Sequence, residues 1–506
     1  MIFKFIFAGC CFWGVLIITL YCIRTKSRIH AETMEIINRK KILITLFVMV
    51  LTILACTLPM GLCPIWNGEE AAHRNQYEVI TESFINGHLY FEYDVDPVLL
   101  EMENPYDCEA RNALGVFLYW DHALYNGRYY MYFGVVPVII LFLPYRIIMG
   151  TSLVTYHATQ IFAGAFISGV FATFYLLTKK FFNKIPFVMY IFLSVAFSAM
   201  SVWYSIGAPA LYCTAITSAL CMEIWSLFFF IKAVWIEENE KKSIIFAFLG
   251  SLFGALAFGC RPPIALANLL VLPMLAEYIR KRHFSFKLLG RLVFAAVPYI
   301  VVGIVLMVYN YMRFDNPFEF GQSYQLTVTD QRAYADFWAQ FDLIKTINGI
   351  LENFISYKPF SDQFPYISND SGAFIKFPLL FFSVIGLMNR EVREELRKKN
   401  LGPFISVLVM LPLLITIIDI TCSPSLMERY RMDIYWLMGI AAFFVTGFYY
   451  MCLPAQSQRR FSHRIAVWSL VTVFTCFWLF IVPIDNYTAY YPDALLKFKY
   501  VLLLGR

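Results

Sequence analysis

The chain has 506 residues, of which 59% are hydrophobic and 15% charged, against roughly 45–50% and 25% in an ordinary soluble domain. Exchanging its 32 Tyr for its 25 Gly, so that the same residue types are compared, leaves that excess standing. These proportions exclude a soluble enzyme, whose surface needs more charge, and exclude disorder more firmly still.

The hydrophobicity is blocky. A hydrocarbon layer about 30 Å thick takes roughly 20 apolar helical residues to cross, and only helices or closed barrels satisfy their backbone inside it. Such runs predict spans near 3–23, 42–63, 153–177, 185–206, 209–235, 243–260, 262–279, 290–312, 374–389, 402–421, 430–452 and 465–484. The predicted class is an all-α polytopic membrane protein of about twelve transmembrane helices with outer juxtamembrane or re-entrant helices. The first run lacks a small-x-small cleavage site and reads as a retained span rather than a signal peptide. The twelve Cys form no CxxC pair and suggest neither a zinc knuckle nor a disulfide framework. Cys63, Cys108 and Cys422 are close enough to the outer face to pair.

Lys and Arg collect in cytoplasmic loops. The short segments 24–41, 179–184, 237–242, 280–291, 390–399 and 459–464 carry 6, 3, 2, 5, 5 and 3 of the 41 basic residues, which places them inside. That alternation requires the stretch 133–149, with Pro137 and Pro144, to dip into or lie along the outer face without crossing. Two long regions, 64–152 and 313–373, then lie outside. The first holds twelve acids against four Arg, so the net charge of +6 is a property of the inner loops and implies no nucleic acid. The chain divides into an extra N-terminal span with its basic loop (1–41), a transmembrane core (42–312), a second outer loop acting as lid or cap (313–373) and a C-terminal bundle (374–506).

In chain order, the first chemical feature is Glu69-Glu70, directly after the span 42–63. A carboxylate partly desolvated at headgroup depth can keep a raised pKa and serve as general base. Acids at a helix start are the bland alternative. On a helix His73 would share a face with both, a weak metal-ligand pattern that does not match HExxH and in which an exposed His is the better reading. The segment 103–137 then combines Asp107, Arg111, Asp121 and His122 with Tyr125, Arg128 and Tyr129. Aromatic rings beside Arg and carboxylates suit a sugar, and they equally suit an interfacial belt. Tyr125-Asn126-Gly127-Arg128 reads as a tight turn.

Arg261, in FGCRPPIAL, would cost about 2.5–3.5 kcal/mol at mid-membrane, so it either snorkels outward or has an anionic partner. MERYRMD sets Arg429 and Arg431 at the mouth of the span 430–452, where a guanidinium fork matches a lipid phosphate. An internal salt bridge is the alternative for either.

Together the acidic pair after an early span, the acidic and aromatic first outer loop, the many spans and the late outer Arg resemble the GT-C superfamily of membrane glycosyltransferases. The likeness is to bacterial members similar to protein O-mannosyltransferases and the aminoarabinose transferase of lipid A. It rests on NPYD, DHALYNGRYYMYFGVVP, GCRPP, YMRFDNPFEFGQSYQLT and ERYRMD, and runs from about 42 to 450. The family's usual acidic pair is Asp-Glu, whereas this chain has Glu69-Glu70, which leaves open which is the base. The span 3–23 shifts the family's first span to second place.

The resemblance implies transfer of a sugar from a polyprenyl-phosphate donor to an envelope glycan, lipid or protein at the extracytoplasmic face of the cell membrane, with inversion. It implies Glu69 or Glu70 as base, the other acid aiding the anomeric centre or a divalent metal, and Arg261, Arg429 and Arg431 on the departing phosphate. In the second outer region it implies Gln322, Tyr324 and Gln325 reading sugar or acceptor hydroxyls and Lys358 assisting the phosphate. No organic cofactor is expected. The rival readings are a transporter or flippase of lipid-linked sugars, a glycan polymerase, and a non-catalytic binder. A transporter usually carries midplane ionisable groups and repeated halves. Here Glu223 and Asp419 are among few such groups, and no matching halves are visible.

Overall fold

In a computed structural model the protein is described over residues 28–61, 75–209, 211–356, 361, 364–366, 371–482 and 492–502, with isolated positions Gly14, Ile17, Leu20 and Tyr21. The span expected at 3–23 lies otherwise outside the described residues, as do Glu69, Glu70, His73 and Lys358. Among the described residues ten helices are long and apolar enough to cross a membrane. They are Arg39–Gly61, Thr155–Phe181, Phe187–Gly207, Leu211–Ile236, Glu240–Phe258, Pro262–Arg282, Phe286–Phe314, Gly402–Thr421, Glu428–Cys452 and Ala455–Leu479. The protein is an all-α, multi-pass membrane protein.

The helices Phe187–Gly207 and Glu428–Cys452 are buried along almost their whole length and form the centre of the bundle. Phe286–Phe314 is peripheral and exposes Val293, Ile300, Ile304 and Val308, the surface a lipid-facing helix needs. Without a hydrophobic driving force between helices in lipid, close packing depends on small residues. Gly169 illustrates this: a Cβ there would sit 2.5 Å from Ile224 Cγ2 of the neighbouring helix.

Three expected elements depart from plain crossing helices of the expected bounds. Residues 138–149 form a short helix that begins with a π turn at Val138–Phe142 and continues as Leu143–Met149. Twelve helical residues reach only about 18 Å, too little to cross, and the chain returns to the same end at Thr155. The expected span 374–389 is broken into Ala373–Lys376, Pro378–Phe381 and Phe382–Met388, because Pro378 donates no backbone hydrogen bond. It still runs beside Glu428–Cys452, from Lys376 bonded to Glu428 at one end to Gly386 against Val445 near the other. The last span starts ten residues earlier than its hydrophobicity suggests, since the basic stretch 459–464 is itself helical. Lys and Arg are good helix formers and extend their charge beyond the apolar zone.

By the alternation of the ten spans and the broken segment 374–389, the described parts of the six basic segments lie at one end of the bundle and those of the two long loops at the other, here called the loop end. There the first loop is pinned to its neighbours by carboxylates. Glu82 accepts from Arg146 Nε at 2.6 Å and from Ser152 Oγ at 2.7 Å, and Glu78 accepts from Thr155 N at 2.7 Å. The bond from Arg146 holds the Glu82 carboxyl below its ordinary value. A depressed carboxyl stabilises the fold above its ordinary pKa and loses that contribution as pH falls through the folded-state value. Amide exchange over 143–152, corrected for its intrinsic pH dependence, is therefore expected to accelerate as pH drops below about 4.5. Glu82→Gln should remove that pH dependence, and an unchanged profile in the variant would refute the assignment.

Candidate functional site

The two loops meet in a small β platform. Ala123–Tyr125 (β1) and Arg128–Tyr130 (β2) pair antiparallel through Asn126 and Gly127, both at positive φ, as a two-residue turn requires. Ala123 bridges to Gln325 and Phe91 to Tyr129, so a strand-like piece of each loop joins the hairpin. Asp121 N donates to Leu326 O at 3.0 Å and Leu326 N donates to His122 O at 2.9 Å. Asp121 itself has φ +57°, an uncommon conformation for a residue with a side chain. Gln76 Nε2 fixes its carbonyl at 2.8 Å.

This backbone aims the Asp121 carboxylate into a cavity of about 660 Å³ among the loop-end termini of several spans. One carboxylate oxygen accepts from Gln325 Nε2 at 2.9 Å and the other from the Tyr212 hydroxyl. The guanidinium of Arg429 lies 4.0 Å over the Tyr212 ring. Arg429 lines the cavity and has no carboxylate at ion-pair distance among the described residues. Arg313, in the last turn of its span, also reaches the wall, donating to Met131 O and to Asn310 Oδ1. The rest of the wall is largely apolar, including Leu306, Phe320 and Ile418.

Arg261 has an anionic partner. It grips Asp433 with both Nε and Nη2, at 2.7–3.0 Å, and stacks 5.0 Å from Tyr430. The approach of the first loop to this corner depends on Gly134, where a Cβ would meet the carbonyl oxygens of Gly259 and Cys260 at 2.3 Å. Asp433 is fully buried, so removing one partner strands a charge. Arg261→Met is expected to destabilise by about 3–5 kcal/mol, while Arg261→Met combined with Asp433→Leu recovers most of the loss. Thermal unfolding in detergent reads both, and equal midpoints for the single and double variants would contradict the pairing.

Of the described residues expected at a site, the fold brings Asp121, Arg261, Gln322, Gln325 and Arg429 to one cavity and places the rest of them elsewhere. Asp107 caps the helix Cys108–Leu114 by accepting from Glu109 N and Ala110 N. Arg111 is buried and holds Pro105 O and Thr327 O, tying the loops together. His122 and Tyr129 pack in an aromatic core with Phe91 and Tyr119, where burial pushes the Tyr129 hydroxyl up to about 12. Tyr125 and Tyr324 stack at 4.6 Å on the platform's flank, with the Tyr125 hydroxyl donating to Asp315, and Arg128 covers Tyr90. Arg431 is buried, paired with Glu428 at 2.9 Å and bonded to Asn353 and Ser371. Its guanidinium is consumed by internal bonds, as in the salt-bridge alternative. Glu223 accepts from Asn268 at 2.7 Å inside the bundle, whereas Asp419 lines the cavity.

Tyr212 and Arg313 escape sequence reasoning. Each sits at the end of an apolar run, where an interfacial residue is ordinary. Among the described residues no three His, Cys, Asp or Glu side chains converge as a metal site. Cys108 and Cys422 are free thiols, and Cys63 lies outside the described residues. Comparison of the chain with protein-family models, with curated proteins and with solved structures finds no match.

Proposed function

We propose that the protein is an integral membrane glycosyltransferase that moves a sugar from a polyprenyl-phosphate donor to an envelope acceptor at the extracytoplasmic face. The observation that supports this reading is the pairing, within one cavity at the loop end, of the Asp121 carboxylate with the Arg429 guanidinium through Tyr212. Glycosyl transfer asks for both poles at once. A carboxylate accepts the acceptor's proton as its oxygen attacks the anomeric carbon, and a cation stabilises the phosphate that leaves on the opposite face. A single displacement of this kind inverts the anomeric centre.

In this reading Asp121 takes the proton, with Gln325 and Tyr212 fixing its orientation, and Arg429 receives the lipid phosphate. Arg313 lines the same cavity as a second cation. Arg261 acts from behind, through Asp433 and Tyr430, as a positioning residue. Glu69 and Glu70 are the competing bases. Six residues after Glu70, Gln76 is bonded to the Asp121 carbonyl, so that segment re-enters the described structure beside the cavity. A divalent metal on Glu69, Glu70 and His73 stays part of that competing assignment.

The test is mass spectrometry of lipids that co-purify with the detergent-solubilised protein. A polyprenyl-phosphate sugar enriched on wild type and lost from Arg429→Ala is the expected result, and it names the donor. Bulk phospholipid in equal amount on both would overturn the donor site.

A further inference from the structure

The helix Leu343–Phe354, within the second long loop, divides its surface three ways. At 100° per residue, Thr346, Gly349, Ile350, Asn353 and Phe354 fall on one side and face the bundle. Lys345, Asn348 and Glu352 fall together on a polar arc. Between these two, over about 80° of the helix, lie Ile344, Ile347, Leu351 and Ile355, and Leu343 opens the helix at the edge of its bundle-facing side. All five are exposed, Ile344 at 72% and Ile347 at 48%. Trp338, just upstream, is 82% exposed. A helix surrounded by water would not place an apolar arc of that width between its core contacts and its charges.

The packing of the helix sets its depth. Gly349 lies against Ile420, and Asn353 donates to Thr416 Oγ1 at 2.9 Å. Thr416 and Ile420 are five residues and one residue from the loop end of the span Gly402–Thr421. The helix therefore enters the bilayer boundary by roughly 7 Å at 1.5 Å per residue, the depth at which amphipathic helices seat their apolar faces. The same span exposes Met410 and Leu414, the surface a lipid-facing helix needs.

We propose that Leu343–Phe354 is an interfacial strap whose apolar arc is immersed in the lipid leaflet at the loop end. The occupant of that face is bilayer lipid, argued from the depth of the helix and from the membrane-spanning helix that carries it. The strap also reaches the site. Asn353 accepts from Arg431 Nε at 3.1 Å, and Arg431 stands two residues from Arg429. Insertion of the strap thus sets the position of the segment that presents Arg429 to the cavity. The lipid contact itself holds whether or not the cavity transfers sugar.

The experiment places a photoreactive diazirine amino acid singly at positions 344, 347, 352 and 414 of the full chain. Each variant is reconstituted into phosphatidylethanolamine–phosphatidylglycerol vesicles, illuminated and analysed by mass spectrometry. Positions 344 and 347 are expected to give lipid adducts at the level of position 414 and severalfold above position 352. Adducts at 344 and 347 no higher than at 352, with 414 still labelled, would overturn the proposal. So would crosslinking of 344 or 347 to a second copy of the chain. All four positions carry surface side chains, and lipid labelling at 414 reports that the bundle has assembled.

Discussion

Asp121→Asn is expected to lower sugar transfer by about 10²–10⁴-fold, the usual contribution of a positioned general base. The substitution is chosen because little else should change. Asn tolerates a left-handed backbone, so the φ of +57° is kept. Its amide oxygen can still accept from Gln325 or Tyr212, and the bonds from Gln76 and to Leu326 involve only the backbone. What is lost is the carboxylate that accepts the proton. The measurement is transfer from the co-purified lipid-linked sugar by reconstituted protein, with elution volume and unfolding temperature as controls. Wild-type turnover in Asp121→Asn would remove Asp121 from the chemistry. Glu69→Gln and Glu70→Gln, measured in parallel, would then carry the assignment, and normal turnover in all three would remove these acids as the base.

Arg429→Ala should instead act on the donor. A hydrogen bond to a charged group contributes about 1.5–3 kcal/mol, which corresponds to roughly 10–100-fold weaker donor binding. Arg429→Lys should restore only part of it, because an ammonium neither forks onto two phosphate oxygens nor lies flat on the Tyr212 ring. Tyr212→Phe separates the two poles. It keeps the ring beneath Arg429 and removes the hydroxyl that bonds Asp121. The expected outcome is a lower kcat with the donor KM held, against a raised donor KM for Arg429→Ala. A donor KM unaffected by Arg429→Ala would place the phosphate elsewhere in the cavity, with Arg313 the next candidate.

A transporter would share the multi-pass bundle, and the two readings diverge in where ionisable groups lie. Glu223 is satisfied by Asn268 and the Arg261–Asp433 pair is closed on itself. Asp121 and Arg429 face a cavity at one end of the bundle rather than its middle. That placement favours chemistry at the loop end, and the Asp121 and Arg429 variants test it directly.

What the sequence by itself determined is whatever depends on neighbours along the chain. Hydrophobic runs of bilayer length marked nearly every span, because a helix in lipid must satisfy its own backbone. Charge counts alone placed the basic segments together, and the prolines at 137 and 144 with the shortness of 133–149 marked a segment that does not cross. The Asn126-Gly127 turn was equally local, since it needs only two residues that accept positive φ. The site was legible in part: Asp121, Arg261 and Arg429 were all singled out as polar residues in awkward places.

Only the tertiary structure decided which of them share a cavity. Asp121 and Tyr212 are 91 residues apart and meet because the loops close over helix ends that adjoin in space. The same closure buried Arg111, His122, Tyr129 and Arg431 in supporting bonds, although their residue types suit a sugar or phosphate equally well. An arginine that binds a ligand and one that holds two loops together look alike in a sequence. They differ in whether the fold supplies acceptors for the guanidinium. Arg111 finds two carbonyls, Arg431 finds a carboxylate, an amide and a carbonyl, and Arg429, among the described residues, finds the rings of Tyr212 and Tyr430 at the cavity wall.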